Sequence, residues 1–140
     1  MRTPDGSDSN TPPATPLFER LGPAPFARLA AELYRGIDHD ARIRSLFPDD
    51  LGPESDAVRD MREFLTQFFG GPAEYSMRKG HPRLRARHMR FPIDQSARDA
   101  WLENALAALA VVAHEHALEE CARREIETYL VRTSQFMMNR

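Results

Sequence analysis

The chain has 140 residues and a mass of 16.0 kDa, enough for one compact domain whose core can enclose a small molecule. Apolar residues at 41% and charged residues at 29% are ordinary for a soluble globular protein, and 19 basic against 21 acidic residues leave a net charge of −2. That balance argues against nucleic acid or an anionic membrane as partner, and the longest apolar stretch, 105–113, is far short of the ~20 residues of a spanning helix.

Residues 1–16 are Pro, Ser, Thr and Asp with almost nothing to bury, so a disordered tail is expected there, with the folded domain over 17–140. No basic cluster followed by an apolar block opens the chain, and its one cysteine, Cys121, fits a reducing compartment; both point to the cytoplasm. A helix is predicted over 23–37. Phe26, Leu29, Ala30, Leu33 and Ile37 recur at three- and four-residue steps, Pro25 suits a first turn, and Tyr34 lies at the edge of the stripe. A short turn over 41–46 ends at Phe47-Pro48 and leads into a loop with Gly52 and Pro53. Val58, Met61, Leu65 and Phe68 mark the next helix, capped by Ser55 or Asp56 and stopped by Gly70-Gly71-Pro72.

Between Ala73 and Phe91 periodicity is weak, and only a short helix near 82–88 is expected. A long helix starts near Asp94, with Ser96 and Asp99 at capping-box spacing and Ala97, Trp101, Ala105, Ala108 and Val112 on its inner face. The last helix carries Ala122, Ile126, Tyr129, Leu130, Thr133 and Met137 on one side, with Cys121 read as a small core residue. No run alternates like a strand. The expected fold is all-α, with about five substantial helices and one weakly structured basic stretch, and compact domains rarely keep such a stretch without a use.

That stretch, GHPRLRARHMRFPI over 80–93, holds His81 and His88 among Arg83, Arg85, Arg87 and Arg90. His81 precedes a proline and suits a capping or turn contact. His88 is flanked by arginines and followed by Met89 and Phe91. A haem-ligating edge needs this mixture: a neutral imidazole for the iron, apolar cover for the porphyrin, and cations for the propionates. The same residues could instead form the docking surface of a haem-free helical interaction module. Elsewhere, His39 reads as solvent-exposed at an acidic helix start, and His114 and His116, two apart on a helix, face different ways and make a poor metal pair.

The run His81-Pro82-Arg83-Leu84-Arg85-Ala86-Arg87-His88, followed by Phe91, resembles the proximal signature of the truncated haemoglobins of the second group. Further segments are similar to that family in the same order: Leu17-Phe18-Glu19-Arg20-Leu21-Gly22, Phe47-Pro48-Asp49-Asp50, Gly70-Gly71-Pro72 with Tyr75-Ser76, and Arg98-Asp99-Ala100-Trp101-Leu102. The resemblance covers 17 to about 132. It implies a two-over-two helical sandwich around haem b (iron protoporphyrin IX), with His88 as the metal ligand. Tyr34 and Trp101 would be the distal polar pair, Phe47 would wedge against the porphyrin, and Ala57 would leave a common distal histidine position small and apolar. Met61 would line the ligand side, by packing or as a weak sixth ligand. Arg87 would meet a propionate, with Arg59, Arg62 and Tyr75 behind it, and Phe91 would add apolar cover.

The resemblance also implies dioxygen and other diatomic molecules as ligands. Two donors on bound dioxygen would slow its release, which suits retention or chemistry better than oxygen transport in bulk. Nitric oxide dioxygenation or a peroxidase cycle would need an external electron donor. A homodimer is compatible with the resemblance.

Overall fold

The computed structural model describes residues 15–140; most of the expected tail, 1–14, lies outside the described residues. Among the described residues the chain is all-helical. Four long helices, α2 (Pro23–Asp38), α3 (Asp56–Phe68), α6 (Gln95–Glu115) and α7 (Glu120–Met137), are joined by three short ones, α1 (Leu17–Leu21), α4 (Glu74–Lys79) and α5 (Leu84–His88), and a 3-10 turn at Arg44–Leu46.

The α2/α3 pair lies over the α6/α7 pair, giving the two-over-two sandwich. Contacts between α2 and α6 join the pairs, α4 packs on α3, and α5 packs on α7. Phe26, Leu29, Leu33 and Ile37 of α2 are fully buried against Leu109 and Val112 of α6 and Ile126 of α7. Gly36 lets α2 approach α6 closely: a Cβ there would lie 2.5 Å from the Asn104 Oδ1. The C-terminal end of α3 is pinned to α7 by aromatic rings. Tyr129 lies 4.1 Å from Phe68 and 5.4 Å from Phe69 between centroids.

Local chemistry explains the element ends. Ser55 caps α3, its Oγ accepting the Val58 N–H at 3.2 Å, and as a buried hydroxyl it sets the register of Ala57 and Met61 on the turns that follow. For α6 the cap is Asp94, which accepts from Ala97 N–H at 2.8 Å, and not the Ser96/Asp99 pair two residues on. Asp94 takes the role because it stands immediately before the first helical residue with extended backbone, where its carboxylate reaches an orphan N–H.

Three other expectations are corrected. The weakly periodic stretch contains a second helix, α4, whose Ser76 is tied to α3: Gln67 Nε2 donates to Ser76 Oγ at 2.7 Å, and Ser76 N–H donates to Gln67 Oε1 at 2.9 Å. Cys121 is exposed, because its neighbour Ala122 takes the inward position one residue later. His39 is exposed, as anticipated, but it ends α2; its Nδ1 meets the Arg35 carbonyl at 2.9 Å. On the inner face of α6, Ala100 and Leu109 join Ala105, Ala108 and Val112 in the core, while Ala97 and Trp101 are only half-buried. On α7 the buried stripe is Ala122, Ile126, Leu130, Ser134 and Met137, with Tyr129 and Thr133 at its half-buried edge.

Candidate functional site

The candidate ligand sits at the end of α5, a five-residue helix whose N-cap, Arg83, has a left-handed backbone (φ 45°). The short helix is held from outside. Arg87 folds back over the preceding loop, with Nε donating to the Pro82 carbonyl at 2.6 Å and Nη2 to the Lys79 carbonyl at 2.9 Å. His81 makes the turn contact expected of it, accepting the Arg83 N–H on Nδ1 at 3.3 Å.

His88 is half-buried, and its Nδ1 lies 2.6 Å from the Leu84 carbonyl oxygen. A carbonyl can only accept, so Nδ1 carries the hydrogen and, in the neutral ring, Nε2 keeps its lone pair free. This is the arrangement of a metal-ligating histidine whose second nitrogen is fixed by a backbone acceptor. Among the described residues no group of three or more His, Cys, Asp or Glu side chains is placed to hold an ion. A lone imidazole fits a metal whose other ligands arrive with it, as the four pyrrole nitrogens of haem do.

Tyr34, on α2, is buried, and its ring meets Phe47 edge-on at 5.9 Å between centroids. Phe47 is held by its neighbour Arg44, which donates to the carbonyls of Pro48 at 2.8 Å and Asp49 at 2.6 Å while pairing with Asp38 at 2.9 Å. Burial, and then the negative charge of Asp60, push the Tyr34 phenol well above the ordinary tyrosine range. The hydroxyl therefore stays a donor at any physiological pH, and no hydrogen bond to another described residue contributes to its titration. A buried donor without a partner is a place for a ligand acceptor.

Ala57, Met61 and Phe64 follow at helical spacing on α3; all three are half-buried, and Phe64 was not among the residues anticipated for the site. Its ring meets Tyr75 edge-on at 5.6 Å, and the buried Tyr75 in turn lies 6.0 Å from the Arg87 guanidinium. The i, i+3 step from Met61 was the signal that could have found Phe64. Trp101 packs half-buried against the same core cluster from α6. Phe91 is half-buried under the Arg90 guanidinium at 4.8 Å, and its N–H donates to the His88 carbonyl at 3.0 Å.

The basic residues divide by partner. Arg78 and Lys79 are bound to α3: Arg78 reaches Asp60 and Glu63, each at 2.6 Å, and Lys79 reaches Asp60 at 2.9 Å. Burial alone would raise the Asp60 pKa, but these hydrogen bonds outweigh it and hold the carboxyl below its ordinary value. Arg59 pairs weakly with Asp56 at 3.2 Å on the exposed face. Arg62 is half-buried on α3. The structure thus brings Phe47 together with Tyr34, and Phe64 together with Tyr75 and Arg87, with His88 on the same short helix as Arg87.

The fit to haem is favourable on three counts: a single imidazole with the correct nitrogen free, half-buried apolar side chains able to lie against a flat ring, and a buried donor with no partner among the described residues.

Comparison with known proteins agrees. The bacterial-like globin profile matches residues 16–135. Among solved structures, the haemoglobin of Chloroflexus aurantiacus is 45% identical and superposes with a TM-score of 0.81 over 90% of this chain and 99% of that one. A truncated, oxygen-avid haemoglobin from Bacillus subtilis is 33% identical, with a TM-score of 0.80 over 89% of this chain and 100% of its own. The group 2 truncated haemoglobin YjbI of Bacillus subtilis is 38% identical over 85 residues, 61% of this chain, and the match spans 62% of that curated relative's length. The chain belongs to the bacterial-like globin family and, within it, to the truncated haemoglobins of the second group.

Proposed function

We propose that the protein binds haem b through His88 Nε2 and uses it to hold dioxygen tightly. The observation that carries this reading is the 2.6 Å contact from His88 Nδ1 to the Leu84 carbonyl, which leaves one lone pair for a metal. Haem, when bound, supplies a ferrous iron at which dioxygen gains partial negative charge. The chain's own residues do the rest. Phe47, Met61, Phe64 and Phe91 give apolar cover that excludes water, and Ala57 leaves room on the α3 side. Tyr34 and Trp101 donate toward the diatomic ligand, and Arg87, with Arg59, Arg62 and Tyr75 behind it, provides the cationic edge for the propionates. In the structure the Arg87 guanidinium already bonds backbone carbonyls, so it would meet a propionate by sharing its donors or by turning outward.

A hydrogen bond to a charged acceptor contributes ~1.5–3 kcal/mol, or about one to two decades in a dissociation rate. The oxygen avidity of the Bacillus subtilis relative supports the same reading. Slow release favours retention or chemistry. The chemistry we assign is conversion of dioxygen and nitric oxide to nitrate, each turnover drawing one electron from an external donor; peroxide reduction is the competing activity.

The test is optical. Purified protein titrated with haemin should develop an intense Soret band at one equivalent, and His88→Ala should weaken or abolish haem retention. Unaltered retention in His88→Ala would remove the assignment. Rapid mixing of the oxygenated protein with nitric oxide, and of the ferric protein with peroxide, then separates the two activities.

A further inference from the structure

The haem reading leaves unexplained how so short a helix as α5 is aimed. Five residues are far below the ~12–15 that make an isolated helix even marginally stable, so tertiary contacts must set its position. On the N-terminal side Arg87 supplies them. On the side that follows His88, they come from the extended segment after α7.

Asn139 makes four hydrogen bonds to the stretch from His88 to Ile93. Its backbone N–H donates to the Ile93 carbonyl at 2.9 Å, and its Oδ1 accepts the Ile93 N–H at 3.0 Å. Its Nδ2 donates to the His88 carbonyl at 3.2 Å and to the Phe91 carbonyl at 2.9 Å. Arg85 fastens the same helix to the end of α7 and the residue after it: its Nη1 donates to the carbonyls of Phe136 at 2.7 Å and Met138 at 2.6 Å, and its guanidinium lies 5.8 Å from the Phe136 ring centre. The His88 carbonyl at the end of α5, which also accepts the Phe91 N–H, and the Phe91 carbonyl beyond it each take a donor from one carboxamide. An Asn side chain has the donor pair and the acceptor that this task needs; Asp has only the acceptors and Leu neither.

We propose that Asn139 is a positioning residue for the haem ligand: by holding the backbone from His88 to Ile93 it aims the His88 imidazole at the iron. This rests on the haem reading above. Asn139 touches no ligand itself; it acts through the main chain of His88.

The experiment compares the wild type with Asn139→Ala and with Asn139→Asp, which keeps an acceptor for Ile93 but loses both donations. In the ferrous, ligand-free holoproteins, resonance Raman should show the iron–imidazole stretching band shifted or broadened in both variants. Haem transfer to an acceptor globin should quicken by about tenfold in Asn139→Ala. In the haem-free proteins, amide exchange at Phe91 and Ile93 should accelerate while that of α2 and α6 stays at the wild-type rate. An unshifted band with wild-type haem transfer in Asn139→Ala would overturn the proposal, as would unchanged exchange at Ile93. Should Asn139→Ala fail to fold, Asn139→Asp decides by the iron–imidazole band and by haem transfer, since its carboxylate still accepts the Ile93 N–H; an unshifted band with wild-type transfer would overturn the proposal there too. A wild-type protein that takes up no haem would sink the haem reading instead, and the exchange rates would still decide whether Asn139 holds the segment.

Discussion

On the proposed reading, two side chains on different helices would bear on how firmly a diatomic ligand is held. Tyr34 is a buried phenol kept protonated by its surroundings, while Trp101 is half-buried on α6 with an indole N–H that can only donate. If both donate to the ligand, Trp101→Phe should speed dioxygen release by about tenfold or more, measured by displacement with carbon monoxide in stopped flow. A wild-type release rate in that variant would leave Tyr34 as sole donor. Glu32 is a residue of another kind. It is a buried carboxylate on α2, bonded by Arg35 and, at 2.7 Å, by Arg28. The Arg35 hydrogen bond, helped by Arg28, outweighs burial and brings its pKa from 4.5 down to about 2. A carboxylate with a depressed folded-state value adds stability that is complete above 4.5 and lost as the pH falls toward about 2. Glu32→Gln should therefore flatten the acid limb of stability between those values, read from urea midpoints across pH; an unchanged limb would show that other carboxylates dominate it.

At the scale of elements, two joints set where the site residues stand. Ser55 is the buried cap of α3, and its loss in Ser55→Ala should cost about 0.5–2 kcal/mol in urea unfolding. Because the register of Ala57 and Met61 starts at this cap, the same variant tests whether α3 holds its turn. The second joint is the end of α3. A Cβ on Gly71 would fall 2.6 Å from Thr66 Cγ2 and 2.9 Å from both Phe18 Cγ and the Thr66 carbonyl oxygen, and the last of these is backbone that cannot swing aside. Gly71→Ala should destabilise by about 1–3 kcal/mol, the range for forced overpacking. A near-neutral result would mean that the α1–α3 contact is looser than the geometry states.

Taken as a whole, the two layers meet where α2 crosses α6 and where the end of α3 meets Tyr129 of α7. A group lying between α3 and α5 would add a further joint between the layers. Ligand binding to the folded state alone stabilises by mass action, by ~4 kcal/mol when the ligand stands a thousandfold above its dissociation constant. Extraction of haem should therefore lower the thermal midpoint, and adding one equivalent back should restore it. Equal midpoints with and without haem would argue that the layers are joined without it. Among the described residues no helix is long and apolar enough to cross a membrane.

α2, α3 and α7 were readable from residue order alone because their apolar positions recur at 3.6-residue spacing, while α6, apolar nearly all round, was readable from its length and its polar start near Asp94. The candidate ligand and its neighbours, from His81 to Phe91, were readable too, since they form one contiguous run. What residue order could not carry is pairing at a distance. Asn139 meets His88 across 51 positions and Ile93 across 46, and nothing in the local pattern of either segment marks the bond. The helix α4 was missed because its six residues are too few for a period to show, and it is held by Gln67 from another helix. The inward turn of Ala122 in place of Cys121 was decided by α7 docking on α6, where the angle of one helix against its partner, and not the character of either side chain, selects which face is covered.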